Sequence, residues 1–314
     1  MMRVTLVHNP DAGDERHAAG PLLKELAGAG HKGTVVGKDD LGQSLEDPGD
    51  LVAVAGGDGT IKKAAIALAG RGVPMAILPL GTANNIARSL GIRGSVAELV
   101  AGWATARRRR LAVGTVATRW GSMRFVESVG VGVFTELVSR GEAEVDENAG
   151  GLTGHALDRA LQLLQRILAE RKPRVRELTL DGRDASGEYL LVQAMNIPMV
   201  GPNVPLAPEA DWSDRQLDVV TVTEAERPIL AEYVRARLAG GAAPPALTVR
   251  RAARVSLSAS TPELQVDDGP WSAVPRSTER RSGIAAGERP EEGYVTITLG
   301  DRAVEVLVGA AGES

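Results

Sequence analysis

Five apolar residues run into Gly56-Gly57-Asp58-Gly59-Thr60 in the stretch LVAVAGGDGT, and a helical pattern follows directly. A strand that ends in such a turn and opens a helix gathers several unpaired backbone N–H groups and the positive end of a helix dipole at one spot, which is chemistry for holding a phosphate. Glycine lets the backbone come close to an anion. The spacing is neither the G-x-x-x-x-G-K-[ST] of a Walker A loop nor G-x-G-x-x-G. Asp58 is the informative residue, because a carboxylate inside an anion-binding turn repels phosphate unless a metal or a ribose hydroxyl stands between them. The plainer reading is a tight strand-to-helix turn with Asp58 capping the helix. A second turn of the same kind follows in LPLGTANNIARSLG, where Gly81 and Thr82 again sit between a strand and a helix. Two adjacent βα turns are expected to present Thr60 and Thr82 at the carboxyl edge of one sheet.

The elements that must position these turns alternate. RVTLVHNP predicts a strand, and Leu22, Leu23 and Leu26 predict a helix after it. LVAVA is a second strand with a helix over 61–69, PMAILPLG is a third, and ANNIARSLG is a helix closed by Gly91. Ser95 and Glu98 form a capping box ahead of Val96, Leu99, Val100 and Trp103 on one helical face. Arg107, Arg108, Arg109 and Arg110 are read as the end of that helix, where cations suit the dipole, or as a patch for an anionic leaflet. A parallel sheet covered by helices is implied. The pattern then turns to strands: a pair around Trp120-Gly121, runs flanking Asp181-Gly182, and runs over 217–222, 247–257, 263–266, 294–299 and 303–308. Helices over 157–168 and from Pro228 to Gly240 interrupt them, and 272–293 is a polar loop. The predicted architecture is α/β plus β: an α/β domain over 1–115, then a mainly antiparallel β domain over 116–314 whose C-terminal end is expected to pack back on the first.

At 314 residues two domains are expected, and 43% hydrophobic with 24% charged residues is the make-up of an ordinary globular chain. A net charge of −4 argues against a general nucleic-acid binder. The absence of cysteine removes disulfides, thiolate zinc sites and cysteine nucleophiles together, and four histidines without H-x-x-x-H or H-x-H spacing make a histidine metal site a poor reading. No run approaches the ~18 apolar residues of a membrane span, and the start MMRVTLVHNP lacks a long apolar leader. A cytoplasmic protein, peripheral at the inner membrane face, is expected.

NPDAG, GGDGT and PLGTANN in this order resemble the diacylglycerol kinase catalytic domain family, which includes bacterial lipid kinases and, more distantly, sphingosine and ceramide kinases. VPLAPEADWSDRQLDVVTV and LQVDDGPW resemble the family's later segments, so the similarity spans nearly the whole chain. The resemblance implies an α/β nucleotide domain similar to those of phosphofructokinase and NAD kinase, a β-sandwich domain, and an active site in the cleft between them. It implies ATP held by Asn9, Gly56, Gly57, Asp58, Gly59, Thr60, Gly81, Thr82 and Asn85, with Lys38 near a nucleotide-touching position but read as a solvated lysine. It implies Mg²⁺ held by the Asp214 carboxylate with the carbonyls of Asp211 and Gln216, and catalytic parts for Asp58 and Asp268.

Several positions depart from the family pattern. Asn85 stands where the family has aspartate, Arg215 where it has glycine, and Pro270 where the D-G-E motif has the glutamate that takes the proton. Glu127 and Phe134 replace a family asparagine and acid. Proline cannot act as a base, which leaves Asp268 as the nearest replacement. The implied function is an ATP-dependent lipid kinase that meets its lipid substrate at a membrane surface without a transmembrane segment. The alternative is a catalytically weakened nucleotide-binding relative acting as a sensor or binding module. NAD kinase-like chemistry is disfavoured, and a homodimer is left open.

Overall fold

The computed structural model describes residues 1–39, 41–119, 121–147, 153–241, 243–260, 263–271 and 290–309. They divide into two compact units, Met1–Val113 with Asp301–Ser314, and Gly114–Gly300. Among the described residues no helix is long and apolar enough to cross a membrane.

The first unit opens with β1 (Arg3–His8), α1 (Ala19–Gly28), β2 (Lys32–Gly37), the short α2 (Leu41–Ser44) and β3 (Leu51–Gly56). It continues through α3 (Asp58–Leu68), β4 (Met75–Pro79), α4 (Asn85–Ser89) and α5 (Val96–Gly102). β3 is buried along its whole length, as a parallel strand covered on both faces must be. β1 pairs in parallel with β2 on one side and β3 on the other, and β4 lies beyond β3. The strand order therefore reverses at β1, so the carboxyl ends of β1 and β3 flank a topological switch point, where open α/β sheets bind ligands. The capping box of α5 forms as the sequence predicts.

One element goes unread in the sequence, and one expectation changes here. β2 is a strand although KGTVVG carries little apolar signal; it is an outer strand with mostly exposed residues, held to β1 from Arg3 opposite Lys32 to His8 opposite Gly37. Arg107, Arg108, Arg109 and Arg110 do not close a helix. α5 ends at Gly102, and the arginines open the strand β5 (Arg107–Thr118). There Arg108 pairs with Glu305 and Arg110 donates to the Asp301 carbonyl, so these cations are strand-edge partners of a neighbouring chain segment rather than a helix-end cluster.

The second unit carries β6 (Gly121–Phe125), β7 (Ser128–Gly132), α6 (Val133–Glu147) and α7 (Thr153–Glu170). Short strands follow: β8 (Arg174–Arg176), β9 (Leu178–Leu180), β10 (Arg183–Asp184), β11 (Gly187–Tyr189), β12 (Leu191–Met195), β13 (Met199–Val200) and β14 (Val204–Pro205). Then come β15 (Leu217–Val222), α8 (Arg227–Leu238), β16 (Thr248–Ala252), β17 (Arg254–Ser258), β18 (Leu264–Val266), β19 (Gly269–Pro270) and β20 (Tyr294–Val308). One antiparallel sheet runs β16-β15-β12-β7-β18-β19. Its Leu191, Met195 and Val222 share a core with Leu164 and Ile167 of α7 and Leu230 of α8. A second antiparallel set joins β10, β9, β17 and the first half of β20, with β5 and β6 as a hairpin. Asp181 and Gly182, both at positive φ, make the two-residue turn that their types predict.

α6 replaces the end of what reads as a strand run. Val133, Phe134 and Leu137 are buried at helical spacing, but the alternating Val-Gly-Val-Gly before them masks the change of period. The runs at 294–299 and 303–308 are one strand, β20, which leaves the second unit and ends in the first, where Val306 pairs in parallel with Met75 of β4. Trp120 and most of the 272–293 loop lie outside the described residues.

An ion cluster ties β8 to the segment before β18. Arg176, buried, and Arg174 both grip Glu263. The hydrogen bond from Arg176, helped by Ser260 and Arg174, holds the Glu263 carboxyl down from an ordinary 4.5 to about 2. A depressed carboxylate contributes stability that is present above its unfolded pKa and lost as pH falls toward the folded one. Wild-type urea midpoints should therefore drop between pH 4.5 and about 2. Glu263→Gln should flatten that part of the profile, and an unchanged acid limb in the variant would show that the cluster adds nothing.

Candidate functional site

The turns after β3 and β4 are neighbours because their strands are: Gly56 pairs with Pro79, and the Leu80 amide donates to the Gly56 carbonyl at 2.9 Å. They touch glycine to glycine. A Cβ built on Gly81 falls 2.5 Å from the Gly57 Cα, closer than real carbon atoms approach. Asn84, in the left-handed region at φ 51°, clips the second turn closed, its Oδ1 accepting from the Gly81 amide at 2.9 Å and its Nδ2 donating to the Gly81 carbonyl at 2.7 Å.

Asp58 caps a helix, but not its own. Its two carboxylate oxygens accept from the amides of Asn85 and Ile86, each at 2.9 Å, at the start of α4. Its negative charge thus meets the positive end of the neighbouring helix, which accounts for a carboxylate in this glycine-rich turn. The N-cap of α3 is Gly57, which has no side chain to offer. Of the two hydroxyls expected at the sheet edge, only that of Thr82 is exposed. Thr60 is turned inward and buried against Gly56, where an added Cβ would lie 2.8 Å from its Oγ1. Its part in the turn is therefore carried by the backbone.

At the end of β1, the Asn9 amide donates to the Ala55 carbonyl of β3, and Asn9 Oδ1 accepts from the Asp11 amide at 3.1 Å and Lys38 Nζ at 2.9 Å. Asn9 is not a helix cap. Lys38 also pairs with Asp11 at 2.5 Å, and the bond to Asp11 holds the ammonium above the usual lysine range. The sequence reads Lys38 as solvated, whereas it ties the carboxyl ends of β1 and β2 together through Asn9 and Asp11. Asn9, Gly57, Asp58, Gly81, Thr82 and Asn85 are thus brought to one edge of the first unit's sheet.

In the second unit, β18 and β19 pair through Val266–Gly269 and Gln265–Pro270, leaving Asp267-Asp268 as the turn, with Asp267 at φ 55°. Asp267 is buried, and its carboxylate accepts from the amides of Val126 (3.1 Å), Glu127 (2.7 Å) and Ser128 (3.2 Å). Asp268 and Pro270 are exposed. Sequence reasoning singled out Asp268 and missed Asp267, although the doubled aspartate in VDDGP is a signal for both. Glu127 is buried beside Asp267, and Phe134 is a core residue.

The loop before β15 holds the remaining three. Asp211 Oδ1 accepts from the Ser213 amide and hydroxyl, and the Asp211 carbonyl accepts from the Asp214 amide at 3.2 Å. Asp214 accepts from the Gln216 amide at 2.8 Å with one oxygen and pairs with Arg251 through the other. Oxygen donors suit a hard cation. As arranged, however, both Asp214 oxygens are engaged by protein donors, and the set does not fit a divalent ion.

Residues 3–116 match the family model of the diacylglycerol kinase catalytic domain, and residues 140–284 that of the YegS C-terminal NAD kinase beta sandwich-like domain. The chain is 28% identical to the diacylglycerol kinase of Bacillus subtilis over 249 residues, 75% of this chain and 77% of the relative. It is 26% identical to the diacylglycerol kinase of Mycobacterium tuberculosis over 245 residues, 72% and 74% of the two chains. The crystal structure of a diacylglycerol kinase from Bacillus anthracis shares its fold, with a TM-score of 0.69 at 17% identity over 98% of this chain and 97% of that one.

Proposed function

The chain belongs to the diacylglycerol kinase catalytic domain family, and on that premise we propose that it is an ATP-dependent lipid kinase whose acceptor is the hydroxyl of diacylglycerol or a similar lipid. The first unit holds the nucleotide and the second the lipid. One observation carries the nucleotide reading: at a switch point of the sheet, α3 starts on Gly57, which has no side chain to cap it, while the Asp58 carboxylate is turned to the adjacent α4. The polyphosphate goes to the backbone amides of Gly57, Asp58 and Gly59, with the Thr82 hydroxyl beside it. Mg²⁺ arrives with the nucleotide as part of that substrate. The Asp58 carboxylate keeps the two turns in place and does not touch the phosphate.

In the transfer, a lone pair of the lipid oxygen forms a bond to the γ-phosphorus as the bond from phosphorus to the β,γ-bridging oxygen breaks. ADP leaves with that electron pair, and the hydroxyl proton is lost to a base. Pro270 supplies none, and Asp268 is the exposed carboxylate of that hairpin. Such transfers rest chiefly on positioning and electrostatics, with a base adding about 10²–10⁴-fold, so turnover without the family's glutamate is slow rather than absent.

Saturating Mg-ATP should raise the melting temperature by mass action, and labelled ATP should pass its phosphoryl group to one member of a panel of lipid alcohols but not to NAD. No thermal shift together with no calorimetric binding would overturn the nucleotide reading. Binding with transfer to NAD alone would overturn the lipid one.

A further inference from the structure

We propose that Arg251 is the resident cation of the loop at 211–218, occupying with its guanidinium the place that a divalent ion would take between the carboxylates. Three aspartates, Asp211, Asp214 and Asp218, fall within this short stretch. Asp218 lies on β15 directly opposite Arg251 on β16, so the two side chains share a face of the sheet. Arg251 pairs with Asp214 at the same time. Asp218 is only 4% exposed, and its Oδ2 has no hydrogen-bond partner among the described residues, an arrangement that is costly for a carboxylate unless a positive charge stands near.

The balance of charges supports the same assignment. Arg251 is set against Asp218 by the strand register and against Asp214 by its ion pair, so one cation faces both carboxylates. A guanidinium stays charged at any working pH and offers a planar fork of donors, so one side chain can serve more than one carboxylate. Because Arg251 is delivered by a paired strand, its position does not depend on an ion arriving from solution. The loop should hold its shape with or without Mg²⁺, a property independent of whether the chain is a kinase.

The test is amide hydrogen exchange over residues 211–218 in nucleotide-free protein dialysed against EDTA, with and without millimolar Mg²⁺. Wild-type protection should be the same in both conditions. Arg251→Gln should lower protection of the loop by roughly an order of magnitude, while Arg251→Lys, which keeps the charge, should lie between the two. Wild-type protection that rises with Mg²⁺ and ceases to rise in Asp214→Asn would overturn the proposal, because the loop would then bind the ion itself. Wild-type protection in Arg251→Gln would overturn it equally. The wild-type arm and Arg251→Lys keep the experiment decisive if the glutamine variant does not fold.

Discussion

Replacing Asp267 with alanine should cost about 3–5 kcal/mol, a large share of the ~5–15 kcal/mol by which a domain is stable. The carboxylate is 2% exposed and accepts from three successive amides, those of Val126, Glu127 and Ser128. Alanine leaves those donors without their acceptor in a place water does not reach, and each orphaned group carries a penalty of about 1–3 kcal/mol. Asp267 also sits at φ 55°, a conformation that asparagine tolerates better than alanine. Asp267→Asn should therefore cost clearly less, since its one carbonyl oxygen still accepts. Urea denaturation of both variants decides the point. Equal and small losses in the two would mean that the hairpin can close without the carboxylate.

Gly81→Ala should abolish the thermal response to Mg-ATP and lower lipid phosphorylation by at least ~10²-fold, a loss equivalent to about 2.7 kcal/mol of transition-state stabilisation. The new methyl would meet backbone on one side and the Asn84 carboxamide, at 2.9 Å, on the other, so the two turns have to part. Asp58→Asn separates the two readings of the aspartate. If Asp58 positions α4, losing one of its two accepting oxygens should destabilise the protein by about 0.5–2 kcal/mol before any nucleotide is added. If Asp58 instead meets the metal of the nucleotide directly, the unliganded variant should melt like wild type and only the Mg-ATP response should fall. The second pattern would remove Asp58 from the positioning role.

The sequence told most where one segment carried its own signal. LVAVA and MAILP are continuous apolar runs bounded by Gly and Pro, so β3, β4 and their turns could be read directly. β2 could not, because an outer strand buries little and KGTVVG needs little apolar surface. The hidden parts of the site are relations between distant residues. That GGDGT and PLGTANN make one edge follows from strand adjacency, but the partner of Asp58 is an amide 27 residues on, and no local pattern reports which helix a carboxylate will cap. Lys38 reads as surface until β2 is known to lie beside β1, which brings it to Asn9. Asp267 and Asp268 are indistinguishable in sequence, and the left-handed turn position together with the amides of residues 126–128 decides which is buried. Arg251 is one arginine among many until the register sets it opposite Asp218.

The return of β20 to β4 sets an order of events during synthesis. Val306 pairs with Met75, so 306 − 75 = 231 residues separate the two partners. A ribosome delivers the other strands of the first unit's parallel sheet long before this last one, and until it arrives the outer side of β4 is a bare row of N–H and C=O groups, open to pairing with another nascent chain. The second unit has all its described strands in hand as soon as the first half of β20 emerges, because Ser258 to Arg254 pair with Tyr294 to Thr298. The domain that is translated first is therefore the one that finishes folding last.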